Sequence, residues 1–168
     1  MELSEAIQKR RSIRRFRADE VSTEDLNAIM RAGTLAPTGC NRQEIDFIAV
    51  VDPLALNEIR SVCLKGRDAF YSAPAVIFCI GHGDLTLADL DCGAAMENMA
   101  LTATDLGLGS VWIHSARNEL NEPRAFELVK ERLGLLPGST ILDCLAVGHP
   151  DQEPIAKRIK SSYRILGR

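Results

Sequence analysis

The chain has 168 residues, 46% hydrophobic and 26% charged, with a net charge of −3 and a pI of about 5.6. Those values suit one soluble globular domain, and the mild acidity argues against nucleic acid as the main partner. No apolar run approaches the roughly 20 residues that a bilayer-spanning helix needs, so no membrane role is expected.

In chain order, Ser4 is expected to cap a first helix whose buried side carries Leu3 and Ile7. That helix runs into a dense basic segment, Lys9, Arg10, Arg11, Arg14, Arg15 and Arg17. Ser22 caps a second helix, with Asp25 in the capping-box position, Val21 stapled onto Leu26, and Gly33 as the expected C-cap. The stretch from Leu35 to Gln43 is rich in turn formers and reads as a loop. Phe47 to Val51 is a β-branched run closed by Asp52-Pro53, hence a strand. A short helix follows over Leu54 to Cys63, then a loop at Lys65 to Asp68. Pro74 opens a buried strand that continues through Ile80.

The segment from about Thr86 to Leu106 reads as a helix that is apolar nearly all round. Ala94, Ala95, Met96, Met99, Ala100, Leu101, Ala103 and Leu106 cover most of its circumference. Such a helix must be covered on nearly every side, which in so short a chain implies a second subunit. A strand over Ser110 to His114, a helix from about Asn121 to Leu133 ending at Gly134, and a strand over Thr140 to Val147 complete the pattern. A polar, basic tail carries Lys157, Arg158, Lys160, Arg164 and Arg168. Helices alternating with short strands mean a layered α+β or α/β domain over residues 1–168.

The five cysteines form no C-x-x-C pair, and with the histidines at 82, 114 and 149 they give no zinc-ligand spacing. An odd count and no signal peptide fit a reducing cytoplasm. Arg10-Arg11-Ser12-Ile13-Arg14 offers guanidinium forks around a hydroxyl, the chemistry that holds a phosphate monoester. The same string also suits a solvated helix end. Pro37-Thr38-Gly39-Cys40-Asn41-Arg42-Gln43 offers amides and a hydroxyl for the polar edge of a planar heterocycle, or is a plain surface loop. Gly107-Leu108-Gly109 follows a helix and lacks the third glycine of a dinucleotide fingerprint. His114 has no acidic or nucleophilic partner nearby in sequence. No hydrolase or NTPase motif is present. The residue set fits an enzyme whose reactivity comes from a cofactor.

Six segments in order resemble the nitroreductase family along essentially the whole chain. They are Arg10–Phe16, Ala36–Gln43, Ser72-Ala73-Pro74, Asp91–Asn98, Leu106–Ile113 and Ala146–Pro150. The resemblance implies an α+β fold, a mixed sheet flanked by helices, and an intertwined homodimer with FMN at the subunit interface. It implies that Arg10, Arg11, Ser12 and Arg14 hold the FMN phosphate and ribityl end, completed by Lys157 or Arg158. It also implies that Pro37, Thr38, Gly39, Asn41 and Gln43 of the partner lie along the isoalloxazine. The backbone at Trp112, Ile113, His114 and Ser115 would meet the ring near N5 and O4. Lys65 and Arg67 are the two candidates for a basic group near N1 and O2. The implied activity is reduction of nitroaromatics, quinones or similar electron-poor small molecules by NADH or NADPH, by ping-pong hydride transfer through flavin N5. The alternatives are a flavin-binding sensor or carrier without turnover, and a specialised member such as a reductive dehalogenase. The chain departs from the family at Glu44-Ile45-Asp46, where Pro and Trp usually follow the glutamine.

Overall fold

Four strands form an antiparallel sheet in the order β1-β2-β4-β3 in the computed structural model, which describes residues 1–63 and 68–167. The strands are β1 (Ile45–Val50), β2 (Ala75–Gly81), β3 (Gly109–Ile113) and β4 (Thr140–Gly148). The parallel component of the expected mixed sheet is confined to one isolated bridge, Ser12 to Ser110.

Central β2 is buried along its whole length. Its residues alternate between two cores, as period two requires. Val76, Phe78 and Ile80 face one core with Phe70, Val111, Ile113 and Cys144; Ala75, Ile77 and Cys79 face the other with Leu145 and Val147. The first core is covered by α3 (Pro53–Val62), α5 (Arg117–Leu120) and α6 (Pro123–Leu133), the second by α2 (Thr23–Thr34) and α4 (Ala88–Asp105). Helix α1 (Leu3–Lys9) rests against α4.

Helix ends follow local chemistry. Ser22 Oγ accepts from Asp25 N–H at 3.0 Å, one half of a capping box, and Val21 and Leu26 are both buried in the same core, as a staple requires. Asp52 accepts from Ala55 N–H at 2.7 Å and Pro53 occupies the first turn of α3. Gly134 ends α6 in the left-handed region at φ 64°.

Several expectations are corrected. Ser4 lies inside α1, whose N-cap is Glu2, and Leu3 and Ile7 are 67% and 55% exposed; the buried residue of that helix is Ala6. Gly33 is not a cap. It sits inside α2, where a Cβ would come within 3.0 Å of Met99 Sδ and Phe47 Cε2, so glycine permits the close approach of α2 to α4 and β1. The helix expected from about Asn121 to Leu133 is α6, which starts at Pro123; a separate short helix, α5 (Arg117–Leu120), precedes it, because Pro123 can start a helical turn but not continue one.

Between them Asn121 acts as a clasp. Its Nδ2 donates to the Arg117 and Ile141 carbonyls, both at 2.8 Å, and its Oδ1 accepts from Ile141 N–H at 3.1 Å. Removal would strand both backbone groups of fully buried Ile141. Asn121→Ala is therefore expected to cost roughly 2–3 kcal/mol in urea denaturation, whereas a cost below about 0.5 kcal/mol would show that water replaces the clasp.

Candidate functional site

Residues 11–16 leave α1 as an extended segment laid along the β3–β4 end of the sheet. Ser12 bridges Ser110, Ile13 N–H donates to Ser110 O at 2.9 Å, and Phe16 bridges Pro150. Gly109 makes room for this contact, since a Cβ there would lie 2.8 Å from Ile13 Cγ2. Extension gives the arginines a period of two. Arg10 pairs with Glu97 of α4 at 3.3 Å, and the Arg14 guanidinium lies 5.9 Å from the centroid of the Tyr71 ring. Arg11 and Arg15 instead hold the tail: Arg11 donates to Ile155 O at 3.1 Å and Arg15 to Asp151 O at 2.6 Å. Among the described residues, Arg11 and Arg14 have no carboxylate partner, which leaves their charge available to an anion.

The tail runs antiparallel to this segment. Asp151 N–H donates to Arg15 O at 2.9 Å, and Gln152 Oε1 accepts from Arg14 N–H at 2.9 Å. That course places Lys157 and Arg158 two and three residues past the Ile155–Arg11 bond, exposed and outside any named element. A cavity of about 490 Å³ lies beneath, lined by Lys9, Arg11, Ile13, Gly109, Pro154 and Ala156 among others. Arg10, Ser12 and Arg14 do not line it, so the predicted group of four is divided between two sides of the segment.

Tyr71 is held by a constrained turn. Tyr71 and Ser72 both have positive φ, 55° and 53°. Asp68 secures them by accepting from Phe70 N–H at 2.9 Å, from Ser72 Oγ at 2.6 Å and from Ser72 N–H, with Arg60 Nε at 3.5 Å. Burial pushes the Asp68 carboxyl up, but these hydrogen bonds and the Arg60 charge outweigh it and hold the group below its usual range. Lys65 and Arg67 lie outside the described residues.

The loop at 37–43 packs elsewhere, against the N-terminal part of α4. Gly39 N–H donates to Asp91 Oδ1 at 2.9 Å, and a Cβ on Gly39 would collide with Leu87 Cδ1. Thr38 Oγ1 accepts from Gln43 N–H, and Asn41 Oδ1 from Gln43 Nε2, each at 3.1 Å. Cys40, Asn41 and Gln43 have positive φ, between 53° and 55°, and all three are exposed with Pro37. No hydrogen bond or ion pair among the described residues joins this loop to Arg10–Arg14. Asp91 is buried whereas Glu97, the Arg10 partner, is exposed on α4.

The end of β3 supplies a third group. Ile113 is buried, Ser115 is exposed, and Trp112 is 43% exposed, its Cη2 3.5 Å from where a Cβ on Gly93 would sit. His114 Nδ1 lies 2.8 Å from Asp143 Oδ1. The partner absent from the neighbouring sequence is thus supplied by β4.

The nitroreductase family model matches residues 7–66 and 55–149, which together take in nearly all of these groups. The chain belongs to the nitroreductase family. The NADPH-flavin oxidoreductase of Vibrio harveyi is 31% identical over 170 residues, spanning 91% of this nitroreductase-family chain and 68% of that protein. A Bacteroides fragilis nitroreductase with bound FMN superposes with a TM-score of 0.83 at 26% identity, covering 99% of this chain and 96% of that one. A Desulfitobacterium hafniense nitroreductase with bound FMN gives 0.85 at 25% identity, covering 98% and 100%.

Tyr71, Asp91 and Asp143 were not singled out as site residues from sequence. A carboxylate inside the apolar run Thr140–Gly148 was a usable signal for Asp143; Tyr71 gave none.

Proposed function

We propose that this chain is an NAD(P)H-dependent FMN oxidoreductase that reduces small electron-poor molecules, nitroaromatics or quinones among them, as a homodimer. The observation that carries it is the extended arginine segment docked on β3, in which Arg11 and Arg14 have no carboxylate partner among the described residues, in a chain of this family. The donor set fits the cofactor: a dianionic phosphate suits Arg10, Ser12 and Arg14, and the exposed amides of 37–43 suit a polar ring edge. In this reading Arg11 anchors the tail that brings Lys157 and Arg158 to the same end. The backbone of 112–115 lines the ring.

Because no hydrogen bond or ion pair among the described residues joins the loop to the arginine segment, the loop of a second copy supplies Pro37, Thr38, Gly39, Asn41 and Gln43. FMN, when bound, accepts two electrons from a nicotinamide and passes them to a second molecule. The protein's own residues bind and orient it, and they let donor and acceptor occupy one slot in turn. Residues 1–168 act as one FMN-binding domain. Five free cysteines fit a reducing compartment such as the cytoplasm.

Cofactor released by denaturation is expected to be FMN by chromatography, since no dinucleotide fingerprint is present to hold a pyrophosphate; recovery of FAD would overturn this. NADH or NADPH oxidation with an added quinone should give parallel double-reciprocal plots. Bound FMN without turnover would identify a sensor or carrier instead.

A further inference from the structure

We propose that His114 donates a proton to the acceptor reduced in the site, and that Asp143 is the positioning residue that holds its imidazole. This rests on the reading of residues 112–115 as the segment that meets the ring near N5 and O4. His114 follows β3 directly, in phase with Trp112. Its side chain is 71% exposed, whereas that of Asp143 is 7% exposed. One ring nitrogen is therefore anchored in the interior at 2.8 Å and the other faces outward.

Asp143 is placed by an irregularity in β4. The register with β2 shifts between Cys79 and Ile80, so that Cys79 faces Asp143 and Ile80 faces Ile141, with Leu142 as the extra residue. Such bulges re-aim side chains. Here Asp143 stands on the α4 side, its second oxygen 3.9 Å from Cys92 Sγ. A buried carboxylate needs hydrogen-bonded partners, and among the described residues the His114 imidazole is its only nitrogen partner. The adjacent ionic groups are engaged elsewhere: Arg117 with Asp89 at 2.6 Å, and Asp91 with Gly39 N–H.

The geometry sets the tautomer. A carboxylate accepts, so Nδ1 carries the proton in neutral His114 and Nε2 is bare; the charged ring presents Nε2–H outward. Reduction of a quinone by NAD(P)H consumes one proton: NAD(P)H supplies two electrons and one hydrogen nucleus, and the hydroquinone needs a second. That proton leaves Nε2 as the hydroquinone O–H bond forms. The N–H electron pair stays on nitrogen, and water reprotonates the ring. Ferricyanide takes electrons and consumes no proton.

In FMN-loaded protein, His114→Ala is expected to lower the ratio of quinone to ferricyanide turnover by about 100-fold, with partial recovery on adding imidazole. Nitrogen-15 NMR of the histidine-labelled protein should show neutral His114 protonated on Nδ1, and Asp143→Ala should move that proton to Nε2. An unchanged turnover ratio in His114→Ala, or an Nε2-protonated ring in the parent protein, overturns the proposal even if Asp143→Ala does not fold. A parent protein that holds FMN but oxidises no NAD(P)H would instead defeat the oxidoreductase reading, and the NMR tautomer would still judge the dyad.

Discussion

Arg14→Ala and Arg10→Ala are expected to weaken FMN binding by about ten- to a hundredfold while the fold stays intact. Charge-assisted hydrogen bonds are worth roughly 1.5–3 kcal/mol when a partner is lost, and each 1.4 kcal/mol is about tenfold in affinity. Neither side chain supports the core. Arg14 is exposed beside Tyr71, and Arg10 gives up only a half-exposed pair with Glu97, a class of contact worth about 0–1 kcal/mol. Riboflavin lacks the phosphate, so its binding should fall far less. Fluorescence titration with both ligands decides the matter: equal losses would place the arginines elsewhere in the site, and unchanged FMN affinity would remove them from it. Arg11→Ala should behave differently, because its guanidinium holds the Ile155 carbonyl. Its effect should appear first as faster proteolysis of the tail.

Leu90→Asp and Leu101→Glu are expected to leave the protein monomeric or insoluble, and free of flavin. Leu90 is 73% exposed in one chain and Leu101 is half-buried, eleven residues along the same helix and so on nearly the same side. On a solvated surface a charge there would shift stability by less than about 0.5 kcal/mol. Beneath a second subunit it would cost several kcal/mol, because an unpaired charge would be buried. Met99, a natural choice from the apolar pattern, is unsuitable, since it is fully buried beside Gly33 in its own chain. Sedimentation with a flavin absorbance trace reports both outcomes together. A soluble monomer binding FMN one to one would remove the two-subunit site.

Much of the fold could be read from the sequence because its signals are local. Caps at Ser22 and Asp52, alternation in the strands and the glycine at 134 all act within a turn or two. What failed was decided by packing. Leu3 and Ile7 are apolar and helical, yet the described residues leave them more than half exposed. Gly33 looked like a stop and proved to be a point of helix contact. The apolar breadth of α4 was real, but one side is filled by the chain's own core while Leu90 and Leu106 remain outside. In the site, period two divides Arg10 and Arg14 from Arg11 and Arg15, which could be read only once the segment was seen to be extended. The His114–Asp143 contact spans 29 residues and a change of strand, so proximity in sequence carried no trace of it.

The docking of residues 11–16 also bears on when the protein can become functional during its synthesis. The segment emerges from the ribosome early, but its first support, Ser110, is made about 100 residues later. The hydrogen bond from Arg11 to Ile155 closes a separation of 144 residues. Contacts so distant in sequence must wait for the intervening chain, and they dominate the slow part of folding. A nascent chain halted before β4 has its arginines and Ser110 but lacks the strand that pairs with β3 and the tail that holds Arg11 and Arg15. Ordering of the arginine segment is therefore a late event in folding, and any ligand that needs it ordered must wait for β3 and the tail.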